Sequence, residues 1–177
     1  MSAGRRFDPY ELFDALQHKR ISYVVIGAFA RVVHGSAERT SGVDVVPSLR
    51  DENLRRLGDV LEGLDAVSAD GGPLRMETLA ADEPLHLQTR AGEVRVIATP
   101  WGTRGYDDIR IRANRENLGQ AVRPPIASVV DLTRMLEASR RPEDAERLHR
   151  LRRMMELEHQ LTRSHRLSRG RERSSDR

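Results

Sequence analysis

The sequence predicts an α/β (α+β) fold in which a mixed β-sheet is flanked by helices. Two observations carry this prediction. Short apolar segments of strand length alternate with amphipathic segments of helix length, and the chain closes with two long helical segments. The chain has 177 residues, which is enough for one domain with a hydrophobic core. We therefore expect one folded domain that ends in a helical hairpin.

The first half of the chain predicts helices and strands in alternation. A helix starts in FDPYELFDALQHKR, where Asp8 is the expected cap, Pro9 suits the first turn and Glu11 is the capping-box partner. An almost wholly apolar strand, ISYVVIG, follows, as expected for burial on both faces. A short helix, AFARVVH, leads through a loop to a second strand, VDVV. A third helix is predicted to begin from a Ser48 cap.

The second half predicts short strands and then two helices. Two of the strands are LRMETL and PLHLQT, with a GGP turn before the first. A clearer strand is GEVRVIATP, where Val94 and Val96 face one side while Glu93 and Arg95 face the other. A turn of helix and a small hairpin or extended crossing follow. The last segment forms two helices divided near Pro142, because proline suits the first turn of a helix and not its interior.

Composition excludes several classes of protein. The chain contains no cysteine, so it has no disulfide framework and no thiolate metal site. Its apolar runs are about as long as strands, which is too short for a membrane span. The N-terminal stretch MSAGRRFDPYEL lacks the apolar centre of a signal peptide. We therefore expect a cytoplasmic protein with no membrane contact.

The positive charge of the chain is concentrated at its C-terminal end. The whole chain has a formal net charge of +3, and the segment from Thr162 onward contains six arginines against Glu172 and Asp176. This segment is rich in serine and arginine and poor in apolar residues, so it is expected to be disordered. Two interpretations stay open: a solvating extension, or a weak and salt-sensitive contact with nucleic-acid phosphates.

A run of motifs in the first half indicates a family. In YVVIGAFARVVHGSAERTSGVDVVPS, a strand ends in glycine, a short helix is followed by His-Gly, and an Arg-Thr loop leads to an acid on the next strand. This run resembles the core of the polymerase-β-type nucleotidyltransferase superfamily. It is most similar to the small bacterial branch that includes abortive-infection and type IV toxin nucleotidyltransferases. The stretch LTRMLEASRRPEDAERLHRL resembles the closing helices of that family, with their Arg-Pro-x-Asp motif.

The resemblance implies a domain layout and a set of site residues. Residues 1–161 would form the nucleotidyltransferase-like domain, with a core at about 8–126 and closing helices at about 128–161, and residues 162–177 would form the basic tail. The positions that match the nucleotide-binding motifs are Gly27, Ala28, Arg39, Thr40, Arg141 and Asp144.

The catalytic positions of the family are only partly filled. Nucleotidyl transfer uses a divalent metal held by two acids at i and i+2 on one strand and a third acid on a neighbouring strand. In this chain Gly42 stands at the first position, Asp44 at the second and Arg95 at the third. One carboxylate is a poor Mg²⁺ site, and an arginine places a fixed cation where metal would bind. Glu93 lies one pleat from Arg95, too far along the strand to replace the missing acid.

Three functions remain open. The first is a catalytically degenerate nucleotidyltransferase-like protein that retains nucleotide or partner binding and uses no metal or other cofactor. The second is an active enzyme that transfers NMP to RNA, protein or a small molecule with Mg²⁺, as a toxin of a toxin–antitoxin system would. The third is an interaction module for nucleic acid or protein. No oligomeric state is predicted.

Several residues near the motifs also have structural interpretations. His34 is expected to bond a backbone carbonyl, and Trp101 to anchor a loop rather than stack on a nucleotide. Arg141 and Asp144 either form a local pair at a helix start or bind a ligand. A final set of loop acids is expected to be solvated: Glu38, Asp107 and Asp108.

Overall fold

The computed structural model describes residues 7–172 except 70, 73, 75, 77–78 and 80–82, and for residues 163–172 it describes the backbone alone. The helices in this part of the chain are α1 Pro9–His18, α2 Gly27–Val33, α3 Asp51–Gly63, α4 Tyr106–Ile109, α5 Val129–Ser139 and α6 Ala145–Glu172. The strands are β1 Tyr23–Ile26, β2 Gly42–Pro47, β3 Val67–Ser68, β4 Leu85–Thr89, β5 Gly92–Val96, β6 Asn114–Arg115 and β7 Pro125–Ile126.

The strands form one mixed sheet in the order β3-β4-β5-β2-β1-β7-β6. At its centre β2 runs antiparallel to β1 and parallel to β5, and β1 runs parallel to β7. The outer pairs β3–β4, β4–β5 and β6–β7 are antiparallel. This arrangement confirms the predicted mixed sheet with flanking helices, and β6 and β7 form the predicted small hairpin.

The core lies on both faces of the central strands. All four residues of β1 are buried, as expected for a strand covered on both sides. Helix α1 buries Leu12, Phe13 and Leu16, which are spaced for one helix face. The Phe13 ring stacks on Tyr23 at a centroid distance of 6.5 Å and meets Phe29 of α2 at 5.3 Å. These rings pack α1 and α2 against β1, which leads directly into the start of α2 beside the candidate site.

The start of α1 is capped by one side chain and not by a capping box. The Asp8 carboxylate accepts from the backbone N–H groups of Tyr10 and Glu11, which confirms the predicted cap. The reciprocal bond is missing, because the Asp8 N–H donates to the carbonyl of Ala91 and the Glu11 carboxylate accepts from Arg90. The predicted capping-box role of Glu11 is therefore wrong.

Helix α3 starts later than the sequence indicates. It begins at Asp51, with Arg50 at the N-cap position and no side-chain cap. The prediction of a Ser48 cap is wrong because Ser48 still belongs to the extended chain after β2. Its N–H donates to the carbonyl of Ser22, and its own carbonyl accepts from the Asn53 side chain.

The two closing helices follow the prediction as far as residue 161. Helix α5 ends at Ser139, a 3₁₀ turn spans Pro142–Asp144, and α6 continues from Ala145. Beyond that point the structure differs from the expected disorder, because the backbone of α6 stays helical to Glu172. The segment contains no proline, and its arginines and leucine are good helix formers. Residues 173–177 lie outside the described part of the chain.

Two further observations complete the fold. Strand β4 confirms the strand predicted for PLHLQT, whereas most of LRMETL lies outside the described residues. Among the helices that the structure describes, none is both long and apolar enough to cross a membrane.

Candidate functional site

A cleft of about 350 Å³ opens beside the start of α2, over strands β2 and β5. Six of the predicted site residues line it: Ala28, Arg39, Thr40, Gly42, Asp44 and Arg95. Gly27 lies directly behind Asp44. The cleft lining does not include Arg141 or Asp144. The sheet topology thus brings the N-terminal motifs to one place and leaves the closing motif outside it.

Asp44 and Arg95 form a bidentate ion pair at the base of the cleft. They are paired residues of the parallel strands β2 and β5. Arg95 Nε donates to Asp44 Oδ1 at 2.6 Å, and Arg95 Nη2 donates to Asp44 Oδ2 at 2.5 Å. The Asp44 side chain is 11% exposed and that of Arg95 is 47% exposed. The hydrogen bonds from the guanidinium to Asp44 raise the pKa of Arg95 above its ordinary value.

Gly27 makes room for the Asp44 carboxylate. Its φ of +69° lies in the left-handed region, and a Cβ atom built on it would lie 2.0 Å from Asp44 Oδ2. Both the backbone conformation and the close approach therefore require glycine. The start of α2 and the carboxylate of β2 are in direct contact as a result.

Gly42 also has a packing role that the sequence does not indicate. It is paired with Glu93 on β5, and a Cβ atom at this position would lie 2.4 Å from the Glu93 carbonyl oxygen. Any side chain here would require the two strands to move apart. The position that is an aspartate in the family pattern therefore cannot hold an acid at the present spacing of β2 and β5.

The loop before β2 contributes one cation and one turn residue. Arg39 is exposed at the edge of the cleft and has no ion pair among the described residues. The Thr40 hydroxyl donates to the Gly42 carbonyl at 2.7 Å, so it shapes the loop rather than pointing freely into the cleft. Arg39 is therefore the lining residue best placed to meet an anion from solvent.

The donor set of the cleft does not fit a divalent metal. Mg²⁺ requires several oxygen ligands in octahedral geometry. Both oxygens of Asp44 already accept from Arg95, and Glu93 lies close enough to the same guanidinium to raise its pKa. Among the residues that the structure describes, no three His, Cys, Asp or Glu side chains are grouped as metal ligands.

Glu38 anchors the loop that carries Arg39. Its carboxylate accepts two hydrogen bonds from Arg31 of α2, at 2.8 and 2.9 Å, and one from Ser36. Arg147 of α6 lies 3.7 Å away. The hydrogen bonds from Arg31 are the main cause of the lowered pKa of Glu38. The prediction that Glu38 is solvated is wrong, because Arg31 is itself buried and draws the carboxylate inward.

The closing motif forms local contacts. The buried Asp144 carboxylate accepts from Arg147 at 2.7 Å and from Ser139 at 2.9 Å. Burial alone would raise the pKa of Asp144, but these hydrogen bonds outweigh it and lower the pKa. The Arg141 guanidinium lies over the Trp101 ring at 4.6 Å. A nucleotide-binding role for Arg141 and Asp144 stays a prediction.

The remaining structural interpretations have mixed outcomes. His34 Nε2 donates to the Ala127 carbonyl at 2.8 Å, as expected from the sequence. Asp107 is exposed, and within the described part of the chain its one ion pair is with Arg110 of its own turn. Asp108 is not solvated as predicted, because it accepts from Arg134 of α5 at 2.8 Å and from the backbone of Arg104.

His86 is a cleft residue that sequence reasoning missed. It lies on β4 directly opposite Arg95 of β5 and lines the cleft. The alternation of PLHLQT indicates that His86 points away from the core, but only the pairing of β4 with β5 places it beside Arg95. A local pattern cannot supply that pairing.

Solved structures identify the fold. No family model and no curated protein sequence matches the chain. A Thermotoga maritima protein assigned as a nucleotidyltransferase, TM1012, matches 79% of this chain and 87% of its own, with a TM-score of 0.56 and 12% identity. The antibiotic-resistance factor ANT(2'')-Ia matches 93% and 94%, with a TM-score of 0.54 and 12% identity. The lincosamide antibiotic adenylyltransferase LnuA matches 85% and 98%, with a TM-score of 0.53 and 13% identity. The chain thus has the nucleotidyltransferase fold.

Proposed function

We propose that this protein is a catalytically degenerate member of the nucleotidyltransferase fold, one that binds a nucleotide through arginines and without a divalent metal. The observation that carries the proposal is the bidentate ion pair between Arg95 and Asp44 at the base of the cleft. In an active member of the family, as the sequence resemblance implies, carboxylates hold metal at these strand positions.

The ion pair takes over the electrostatic role of a metal. A guanidinium stays charged at all accessible pH values, and here it neutralises Asp44 directly. A metal ion would have to displace Arg95 from both carboxylate oxygens and then approach a fixed positive charge. With Gly42 packed against the Glu93 backbone, β2 offers no second acid to offset that cost.

The cleft still offers cations to a phosphate chain. Arg39 is exposed at its edge, and Arg95 keeps one nitrogen, Nη1, outside the hydrogen bonds to Asp44. Arginine binds phosphate oxygens well because its donors form a planar fork. These two groups can contact phosphates where a metal would otherwise bridge them.

Titration of ATP, GTP, CTP and UTP by calorimetry, first in EDTA and then with excess Mg²⁺, tests the proposal. We expect at least one nucleotide to bind in EDTA. Mg²⁺ should leave its affinity unchanged or weaken it, because Mg²⁺ bound to the nucleotide reduces the charge that the arginines meet. Binding that requires Mg²⁺ would contradict the proposal and favour an active enzyme. Failure of all four nucleotides to bind would favour an interaction module.

A pair of matched variants locates the binding. Arg39→Gln removes the exposed cation at the edge of the cleft and should weaken binding about tenfold, the value of one charge-assisted hydrogen bond. Arg153→Gln removes one exposed arginine from α6, outside the cleft lining, and should change the affinity less than about twofold. Equal losses of affinity in the two variants would show that nucleotide binding depends on the net charge of the protein and not on the cleft.

An active transferase is the second candidate. Two observations favour it: Asp44 is retained in the cleft, and LnuA, an adenylyltransferase, shares the fold over 98% of its own length. On this alternative, NMP would be transferred to RNA, protein or a small molecule. The likeness to toxins of toxin–antitoxin systems and a nucleic-acid contact through the C-terminal arginines stay predictions.

A further inference from the structure

A second cavity, of about 390 Å³, lies at the other end of β1 from the cleft. We call it the arginine pocket and define it by Arg20, Arg110, Arg115, Arg123, Tyr23 and Tyr106, which all line it. Tyr23 is the first residue of β1, whereas the cleft lies beyond its last residue, Ile26. The two cavities are therefore separate sites.

The arginine pocket has an uncompensated positive charge. Its lining includes four arginines and no acid. Arg110 pairs with Asp107 at 2.8 Å, just outside the lining. Across the described part of the chain, Arg20, Arg115 and Arg123 have no carboxylate within ion-pair distance. Three unpaired guanidinium groups around one cavity repel each other, and an anion would relieve that repulsion.

Tyr23 adds a hydroxyl donor to the same pocket. Most of the residue is buried, but its hydroxyl stays accessible from the pocket and has no hydrogen-bond partner among the described residues. Burial raises the pKa of Tyr23 well above its ordinary value, and the charge of Arg115 opposes that rise in part. The hydroxyl is therefore protonated at neutral pH and can donate to an anion that enters the pocket.

We propose that the arginine pocket binds a small phosphorylated molecule that has two or more linked phosphate groups. Arginine forks match phosphate oxygens, and the Tyr23 hydroxyl supplies a further donor in the pocket wall. The volume lies within the usual range for small-molecule sites. A terminal phosphate presents three oxygens to the four arginines, whereas a nucleic-acid backbone phosphate presents two and is flanked by two sugars.

Calorimetry with tripolyphosphate as the probe tests this proposal on the full chain. The double variant Arg115→Gln/Arg123→Gln should bind the probe at least about tenfold more weakly than the wild type, because it removes two charge-assisted contacts. The control Arg55→Gln/Arg153→Gln removes the same charge elsewhere and should change the affinity less than about twofold. The proposal is overturned if the pocket variant binds like the wild type, or if the control loses as much.

Substitution of Tyr23 separates binding from folding. Tyr23→Phe removes a hydroxyl without a partner, so the thermal midpoint without probe should be unchanged or higher. Its affinity for tripolyphosphate should fall several-fold. A lower midpoint together with unchanged affinity would show that the hydroxyl is structural and would overturn its role.

Two comparisons exclude other binding sites and ligands. Tripolyphosphate can also meet Arg39 in the cleft, so Arg39→Gln should lower the affinity less than the pocket variant does, and an equal or larger loss would place the probe in the cleft instead. A single-stranded decanucleotide without terminal phosphates should not compete with the probe. If the decanucleotide binds through Arg115 and Arg123 while tripolyphosphate does not bind, the pocket is a nucleic-acid site and the proposal fails.

Discussion

Asp131 and Asp44 both pair with arginine, but the two carboxylates differ in their burial and in the number of their partners. Asp131, at the start of α5, is fully buried, accepts from Arg112 and the Ser128 hydroxyl, and forms an ion pair with Arg134. Asp44, in the cleft, is 11% exposed, and among the described residues it accepts from Arg95 alone. The first carboxylate has its hydrogen-bonding capacity filled by the protein. The second belongs to a pair that lines the cleft, where a ligand can reach it.

The difference separates a structural ion pair from one at the candidate site. Removal of Asp131 would leave two cations, Arg112 at 45% and Arg134 at 34% exposure, whereas removal of Asp44 would leave one cation at 47% exposure. Since the arginines are similarly exposed, the cost of removing each carboxylate should follow its own burial and the number of hydrogen bonds that are lost. The predictions below test that ranking, from the largest effect to the smallest.

Asp131→Ala should be the most destabilising of these changes. We expect the free energy of unfolding to fall by about 2–3 kcal/mol, because the change removes a fully buried carboxylate and the hydrogen bonds that it accepts from Arg112 and Ser128. Urea denaturation measures this directly. The control is Asp107→Ala, which removes an exposed acid paired within its own turn and should cost less than about 0.5 kcal/mol. Similar losses from both variants would refute the ranking.

Gly42→Ala tests the close packing of β2 against β5. The added methyl group would meet the Glu93 backbone, so we expect a loss of about 1–3 kcal/mol in the free energy of unfolding. Gly63→Ala is the matched control, since a Cβ atom there meets nothing within 4 Å and the residue ends helix α3. It should be neutral or slightly stabilising. If Gly42→Ala leaves the free energy of unfolding unchanged, β2 and β5 can move apart enough to hold a side chain at this position, and our account of Gly42 is wrong.

Separate and combined alanine substitutions of Asp44 and Arg95 measure the pair in the cleft. Each single change should cost about 1–2 kcal/mol, less than Asp131→Ala, because Asp44 has a single partner among the described residues and Arg95 is partly solvated. The double variant should recover part of the summed loss, and a double-mutant cycle gives the coupling free energy. Strictly additive losses would mean that the two side chains do not pair in solution.

The pH dependence of stability should report on Glu38. Its pKa in the folded protein is lowered from 4.5 by the hydrogen bonds from Arg31, so its stabilising contribution is complete above that pH and is lost as the pH falls through the folded pKa. The stability difference between the wild type and Glu38→Gln should be largest near pH 7 and should narrow below about pH 4.5. A difference that stays constant from pH 7 to pH 3 would contradict this account.

The sequence predicted those features that depend on local patterns. The alternation of Glu93, Val94 and Arg95, together with the family resemblance, placed Arg95 beside Asp44, and the structure confirms that they face one cleft. Other features depend on contacts between distant segments. Ser48 is bound to Ser22 and so cannot cap α3, and Glu38 is buried only because Arg31 and Arg147 come to it from two helices.

The central claim is that the arginine in the cleft has replaced metal-dependent catalysis, and an assay of nucleotide transfer tests it most directly. The protein is incubated with labelled NTPs, Mg²⁺ or Mn²⁺, and cellular RNA and protein, and the label joined to macromolecules is measured for the wild type and for Asp44→Ala. We predict that the wild type transfers no more label than Asp44→Ala. Clear transfer by the wild type that Asp44→Ala abolishes would show that Asp44 still serves an active nucleotidyltransferase site, and would contradict the claim.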